Sequence, residues 1–140
     1  MSERVFIDAN IFLDVTKKRR GWQSSLNFIT SVKEGKIKGY ISVLTVAIVY
    51  FMRLRVLPMD RARHDSQELI KGFEIVAVTP EMVKEAYAEK KIEDLEDAIQ
   101  FHCAKSVVKT FVTRNKKHYE KVKNEIEILT PEEFLKKYSS

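Results

Sequence analysis

Val5-Phe6-Ile7-Asp8-Ala9-Asn10 runs three apolar residues straight into a carboxylate and, two positions on, an amide. A short continuous apolar run of this kind suits a strand covered on both faces, which is the habit of a parallel sheet. An aspartate placed directly after it falls at the carboxyl edge of the sheet, where open α/β sheets bind their ligands. A carboxylate there costs free energy unless something pairs with it. Asp8 is therefore the first candidate functional residue. Asn10 reads as the N-cap of a helix over residues 11–16.

Outward from this stretch the chain alternates. A helix is expected over residues 22–33, with Trp22, Leu26, Ile29 and Val32 at helical spacing and Gly35 stopping it. Residues 39–42 read as a strand. Residues 43–55 read as a buried helix ended by Pro58, although their β-branched content leaves a strand open for the first half. An amphipathic helix over 61–71 and a strand over 73–78 come next. Thr79-Pro80 is a cap followed by proline at the first helical position, and that helix reaches about residue 90. Residues 94–106 form a further helix, and 110–113 and 126–129 two strands. Thr130-Pro131-Glu132-Glu133 is a capping box that opens the last helix. The alternation predicts a three-layer α/β/α sandwich with a mostly parallel sheet, in one domain spanning residues 1–140.

Composition supports that reading. The 140 residues are 44% hydrophobic and 32% charged, the balance of a soluble globular protein with a core of its own. The net charge of +5 suits a polyanionic partner without requiring one. Cys103 is the single cysteine, so no internal disulfide can form, which agrees with a reducing cytoplasm. The opening Met1-Ser2-Glu3-Arg4 is not that of a signal peptide, and no apolar run is long enough to span a bilayer. A cytoplasmic location with no membrane partner is expected.

The carboxylates carry the chemistry. Asp94 and Asp97 are three apart and share a helix face, while that spacing puts Glu96 off the face and Glu93 at a frayed start. Thr113-Arg114-Asn115 closes the fourth strand at the same sheet edge as Asp8. Three carboxylates in one cleft stay ionised together only with a cation between them. Hard oxygen donors with water left over describe Mg²⁺ or Mn²⁺, either of which assists attack on a phosphodiester. The competing reading is that Asp94 and Asp97 open a helix, where its dipole favours acids.

These motifs resemble the PIN domain family. The stretch from Val5 to Asp14 looks like the family's opening motif, in which a strand delivers the first metal-binding aspartate. Asp94-Leu95-Glu96-Asp97-Ala98-Ile99-Gln100 resembles the helix that carries the third acid, with Asp97 the better match and Asp94 an extra acid of one subgroup. The stretch from Phe111 to Tyr119 resembles the fourth motif, and that from Leu129 to Leu135 the family's usual ending. The resemblance implies a Mg²⁺- or Mn²⁺-dependent endoribonuclease like the toxins of VapBC-type toxin–antitoxin pairs. It also implies a homodimer inhibited by a small antitoxin. Asp8, Asp94 and Asp97 would hold the metal and carry catalysis. Asn10, Thr113, Asn115 and His118 would support them, and Arg53, Arg114 and Lys116 would hold the RNA backbone. A PIN fold with a weakened site, kept as an RNA- or protein-binding module, is the alternative.

Two positions depart from the family pattern. The second acid, often a glutamate, is replaced by Ile48 or Ala47, neither of which can touch a metal. The aspartate of the fourth motif is His118, which can ligate a metal or relay protons. The site loses up to two negative charges, so weaker metal binding is expected. Lys17 to Arg20 form a basic run that reads as a solvated face. Cys103 reads as packing rather than as a reactive thiol. Trp22, Phe28, Tyr50 and Phe51 look too numerous for one small core, which adds to the expectation of a homodimer; Trp22 and Tyr50 read as core or dimer interface.

Overall fold

The computed structural model describes residues 3–138; Met1 and Ser2 of the opening read above lie outside the described residues, as do Ser139 and Ser140. Five strands, β1 (Glu3–Ile7), β2 (Ile37–Ser42), β3 (Glu74–Val76), β4 (Thr110–Val112) and β5 (Glu127–Leu129), form one parallel sheet in the order β3-β2-β1-β4-β5. Seven α-helices accompany them: α1 (Asn10–Lys17), α2 (Trp22–Lys33), α3 (Val43–Leu54), α4 (Met59–Ile70), α5 (Pro80–Ala88), α6 (Leu95–Lys105) and α7 (Pro131–Tyr138).

The pleat of the central strands explains the layers. On β1, Phe6 points to one face of the sheet and Val5 and Ile7 to the other, and all three are fully buried. Phe6 joins Phe111, Phe101, Ala104 and Tyr119 in a core under α5 and α6. Val5 and Ile7 join Ile11, Phe28, Ile41, Val49 and Phe134 in a second core under α1, α2, α3 and α7. Burying each of these large side chains contributes roughly 1.5–3 kcal/mol, so an uninterrupted apolar strand pays off only between two helical layers. Gly39 is required on β2, because a Cβ there would meet the Phe73 ring at 2.7 Å.

Local signals at the helix ends read well. Thr79 accepts from the Met82 amide at 3.2 Å, with Pro80 opening α5. Thr130 and Glu133 exchange reciprocal bonds of 3.1 and 2.9 Å at the start of α7. Three readings need correction, and one alternative is closed. Asn10 does not cap α1: it lies inside the helix, after Ala9, and its amide donates instead to Asp8. The helix expected over 43–55 forms over Val43–Leu54, because Ser42 accepts from the Thr45 amide at 3.2 Å and starts it there, which closes the strand alternative for its first half. The strand expected over 73–78 shortens to three residues at the edge of the sheet. A 3-10 helix, Lys116–Val122, follows β4, where sequence periodicity pointed to no element.

Of the four apolar residues that looked too numerous for one core, Phe28 is a core residue, fully buried edge-on against Phe134 at 5.2 Å. Trp22 and Tyr50 are half-buried, and Phe51 is 61% exposed. Among the described residues no helix is long and apolar enough to cross a membrane.

Candidate active site

The central strands end together. The Asp8 amide donates to the Val112 carbonyl at 3.0 Å, and the Thr113 amide to that of Leu129 at 2.9 Å, so the ladder carries one residue past β1 and β4. This sets Asp8 and Thr113 side by side, and the Thr113 hydroxyl donates to Asp8 Oδ2 at 2.8 Å. The same hydroxyl accepts from the Asn115 amide at 3.0 Å, which fixes its direction. The Asn10 amide nitrogens lie 3.4 Å from the Asp8 oxygens. Asp8 is fully buried yet meets only neutral donors.

The N-terminus of α6 supplies the remaining acids. Asp94 is its N-cap and accepts from the Asp97 amide at 3.0 Å. Asp97, buried, accepts from the Tyr119 hydroxyl at 3.1 Å and from His118 Nδ1 at 2.8 Å. Asp94, Glu96 and Asp97 each place a carboxylate oxygen within 4.8 Å of the others. Helical spacing had put Glu96 off this face. The correction comes from the cap: the Asp94 backbone is extended at φ −82° and ψ 128°, so Asp94 is off the helical spiral and folds back over the first turn.

The electrostatics follow from burial and crowding. Burial pushes the Glu96 carboxyl up to about 7, and the charges of Asp8 and Asp97 add to the rise. Burial also raises Asp8 above its ordinary value, against the Thr113 bond and together with the Asp97 charge. Asp97 is raised by burial first, with the His118 bond opposing. Burial and the Asp8 and Asp97 charges hold the Tyr119 phenol far above its usual range, so it stays a donor. Carboxylates that raise one another lack positive charge between them, and a divalent cation supplies it. The donor set, all hard oxygens with a histidine at the rim, fits Mg²⁺ or Mn²⁺ better than a thiophilic metal.

A cleft of about 770 Å³ opens beside Asp94 and Asp97. Lys90 and Lys91 line one wall, and Lys117, His118 and Lys121 the other. Lys90, Lys117 and Lys121 form no ion pair among the described residues, whereas Lys91 lies 3.5 Å from Glu125.

The basic residues singled out from the sequence are engaged elsewhere. The Arg114 guanidinium holds Asp14 at 2.7 Å, Ser25 at 2.9 Å and Glu132 through two bonds of 2.8 and 2.7 Å. Arg53 Nε donates to Asp65 at 2.6 Å, bracing α3 against α4, and Lys116 holds Glu133 at 3.0 Å. Lys17, at the end of α1, and Lys18 to Arg20 after it lie exposed. Cys103 is buried, which pushes its thiol up to about 11 and leaves it inert at neutral pH. Sequence reasoning passed over Glu96, Gln100 and Tyr119. A signal existed for the first two, since Glu96 and Gln100 are a polar i,i+4 pair beside the apolar stripe of α6.

Residues 4–117 match the PIN domain family. Ribonuclease VapC1 of Aquifex aeolicus (strain VF5) is 28% identical over 144 residues, covering 99% of this chain and 98% of that protein. VapBC2 from Rickettsia felis, solved bound to a DNA fragment from its promoter, shares the fold at a TM-score of 0.66 and 16% identity, over 90% of this chain and 96% of the other. A toxin–antitoxin complex from Klebsiella pneumoniae matches at a TM-score of 0.66 and 19% identity, over 91% and 97%.

Proposed function

The chain belongs to the PIN domain family, and from that premise we propose that it is a metal-dependent endoribonuclease of the VapC toxin type. The clustering of the Asp94, Glu96 and Asp97 carboxylates, with buried Asp8 close enough to Asp97 and Glu96 for the charges to act on one another, is the observation that carries this reading. Asp8, Asp94 and Asp97 would hold Mg²⁺ or Mn²⁺. The bound ion supplies Lewis-acid stabilisation of a phosphodiester and lowers the pKa of attacking water. Thr113, with Asn10, orients Asp8, and the Asn115 amide holds the Thr113 hydroxyl in place. Tyr119 and His118 would orient Asp97, and His118, which lines the cleft, would pass a proton to a leaving oxygen. The unpaired lysines of the cleft are better placed to hold an RNA backbone than Arg53, Arg114 or Lys116, each of which already has a carboxylate.

The weakened-site reading keeps one observation in its favour: the second acid of the family is absent from α3, where Val46, Ala47 and Ile48 stand. Two partners belong to the proposal, a second copy of this chain and a small antitoxin. Both would meet an apolar strip where Phe51 is 61%, Val56 69% and Met59 51% exposed. A cytoplasmic location is part of the same reading. Cleavage of a mixed RNA panel with Mn²⁺, Mg²⁺ or EDTA tests it. The expected result is cutting with either metal, none in EDTA, and loss of at least about a hundredfold in Asp8→Asn. Cutting that persists in EDTA or in Asp8→Asn would refute it.

A further inference from the structure

Gln100 is completely buried, and its side chain joins the N-terminus of α6 to that of α3. Its carbonyl accepts from the Ser42 hydroxyl at 2.9 Å, and its amide nitrogen lies 2.9 Å from the Thr45 hydroxyl. The same nitrogen lies 3.4 Å from Glu96 Oε2, one helical turn away. Ser42 is in turn locked as the cap of α3. These bonds leave the amide one orientation: flipped, its carbonyl would face the Glu96 carboxylate, and the Ser42 hydroxyl would lose its acceptor. The NH₂ group is therefore aimed at Glu96 by the Ser42 and Thr45 hydroxyls.

The consequence is a placement of charge. The first turns of α3 bring hydroxyls, not an acid, to this corner, and Ile48 lies one turn beyond Thr45. Glu96 reaches the same corner from α6, with an oxygen within 4.8 Å of those of Asp94 and Asp97. A glutamate free to turn away would leave a crowded group of acids for solvent; the Gln100 bond acts against that escape.

We propose that Glu96 is a metal ligand of this chain, supplying from α6 the carboxylate that α3 lacks, and that Gln100, clamped by Ser42 and Thr45, is the residue that positions it. The inference rests on the metal-site reading above. It changes what the α3 substitution means, because the site keeps its count of acids by drawing the fourth from a different helix.

Calorimetry with Mn²⁺ alone, on the full chain, tests both levels. Glu96→Gln, nearly isosteric and at a half-buried position, is expected to weaken Mn²⁺ by tenfold or more. Gln100→Leu is expected to weaken it roughly tenfold, in the range seen when groups that orient metal ligands are removed. Ile48→Glu should restore affinity in the Glu96→Gln background and add much less to the wild type, a coupling read as a double-mutant cycle. Thermal melts in EDTA show that each variant is folded. An unchanged isotherm in Glu96→Gln, beside a lost one in Asp8→Asn, overturns the role of Glu96 and leaves the metal site standing. An unchanged isotherm in Asp8→Asn overturns the metal site and this inference with it. Weakening by Glu96→Gln but not by Gln100→Leu removes the positioning role.

Discussion

Asp8 and Asp14 are six residues apart and both buried, yet they meet opposite environments. Asp14 faces the Arg114 guanidinium, which also holds Glu132, so two carboxylates share one cation through several charge-assisted bonds. Asp8 faces the hydroxyl of Thr113, the residue immediately before Arg114, and shares its corner with Glu96 and Asp97. The same two segments thus build a compensated cluster and an uncompensated one. A protein that places a guanidinium on one buried acid and only hydroxyls and amides on the next has left the second short of positive charge. That shortage is what an external cation relieves, and it separates a structural cluster from a binding one.

The largest effect should come from breaking the compensated cluster. Arg114→Met leaves Asp14 buried beside a lost cation, which costs about 3 kcal/mol of stability, enough to lower the melting temperature by several degrees. Mn²⁺ affinity of the fraction that remains folded should hardly change. If the melt is unmoved, or if Mn²⁺ binding falls with it, the two clusters are not separate devices.

The uncompensated cluster should show itself in pH dependence. Asp8, Glu96 and Asp97 all have folded-state pKa values raised above their ordinary ones. The folded state therefore binds protons more tightly than the unfolded chain does. Stability from these groups is full below the ordinary carboxylate range and is lost as pH rises, for Glu96 between 4.5 and about 7. The loss is on the order of 1–3 kcal/mol. Of the acids held by lysine or arginine, Glu125, Glu127, Glu132 and Glu133 are lowered, so they titrate below this window, whereas burial raises Asp14 against the opposing Arg114 and adds a share of the same sign. Melts in EDTA across that range should fall with pH, and Glu96→Gln should flatten the fall. Saturating Mn²⁺ should reverse it. A metal-free protein that gains stability over the same range would contradict the shortage of charge.

The smallest expected effect separates free from paired lysines. Lys117→Ala and Lys121→Ala should each reduce the slope of log affinity against log salt for single-stranded RNA by about 0.7, the value for one phosphate contact. Fluorescence anisotropy in EDTA reads this without cleavage. Lys116→Ala, whose lysine is bound to Glu133, should leave the slope unchanged. Equal losses from all three would mean that the cleft has no special role.

Much of this was legible in the chain. Val5-Phe6-Ile7 announced a strand covered on both sides, Thr79-Pro80 and Thr130 to Glu133 announced helix starts, and Asp8, Asp94 and Asp97 fell at element ends because those are the places where a carboxylate can reach solvent or a ligand. Such signals are local: a period of two or 3.6, a cap, an apolar run. Other features rest on contacts between distant positions. Thr113 meets Asp8 across 105 residues, Arg114 meets Asp14 across 100, and Gln100 meets Ser42 across 58. No local periodicity encodes these meetings. They follow from the order of the strands, which puts β1 between β2 and β4. Sequence alone determined the layered α/β character and the identity of most of the acids. Only the tertiary structure decided that Arg114 is a brace for Asp14, that Lys90, Lys117 and Lys121, without an ion pair among the described residues, line the cleft, and that Glu96 joins the acids. The reason is physical: a charge acquires its role from what lies within a few ångströms of it, and folding brings those neighbours from elsewhere in the chain.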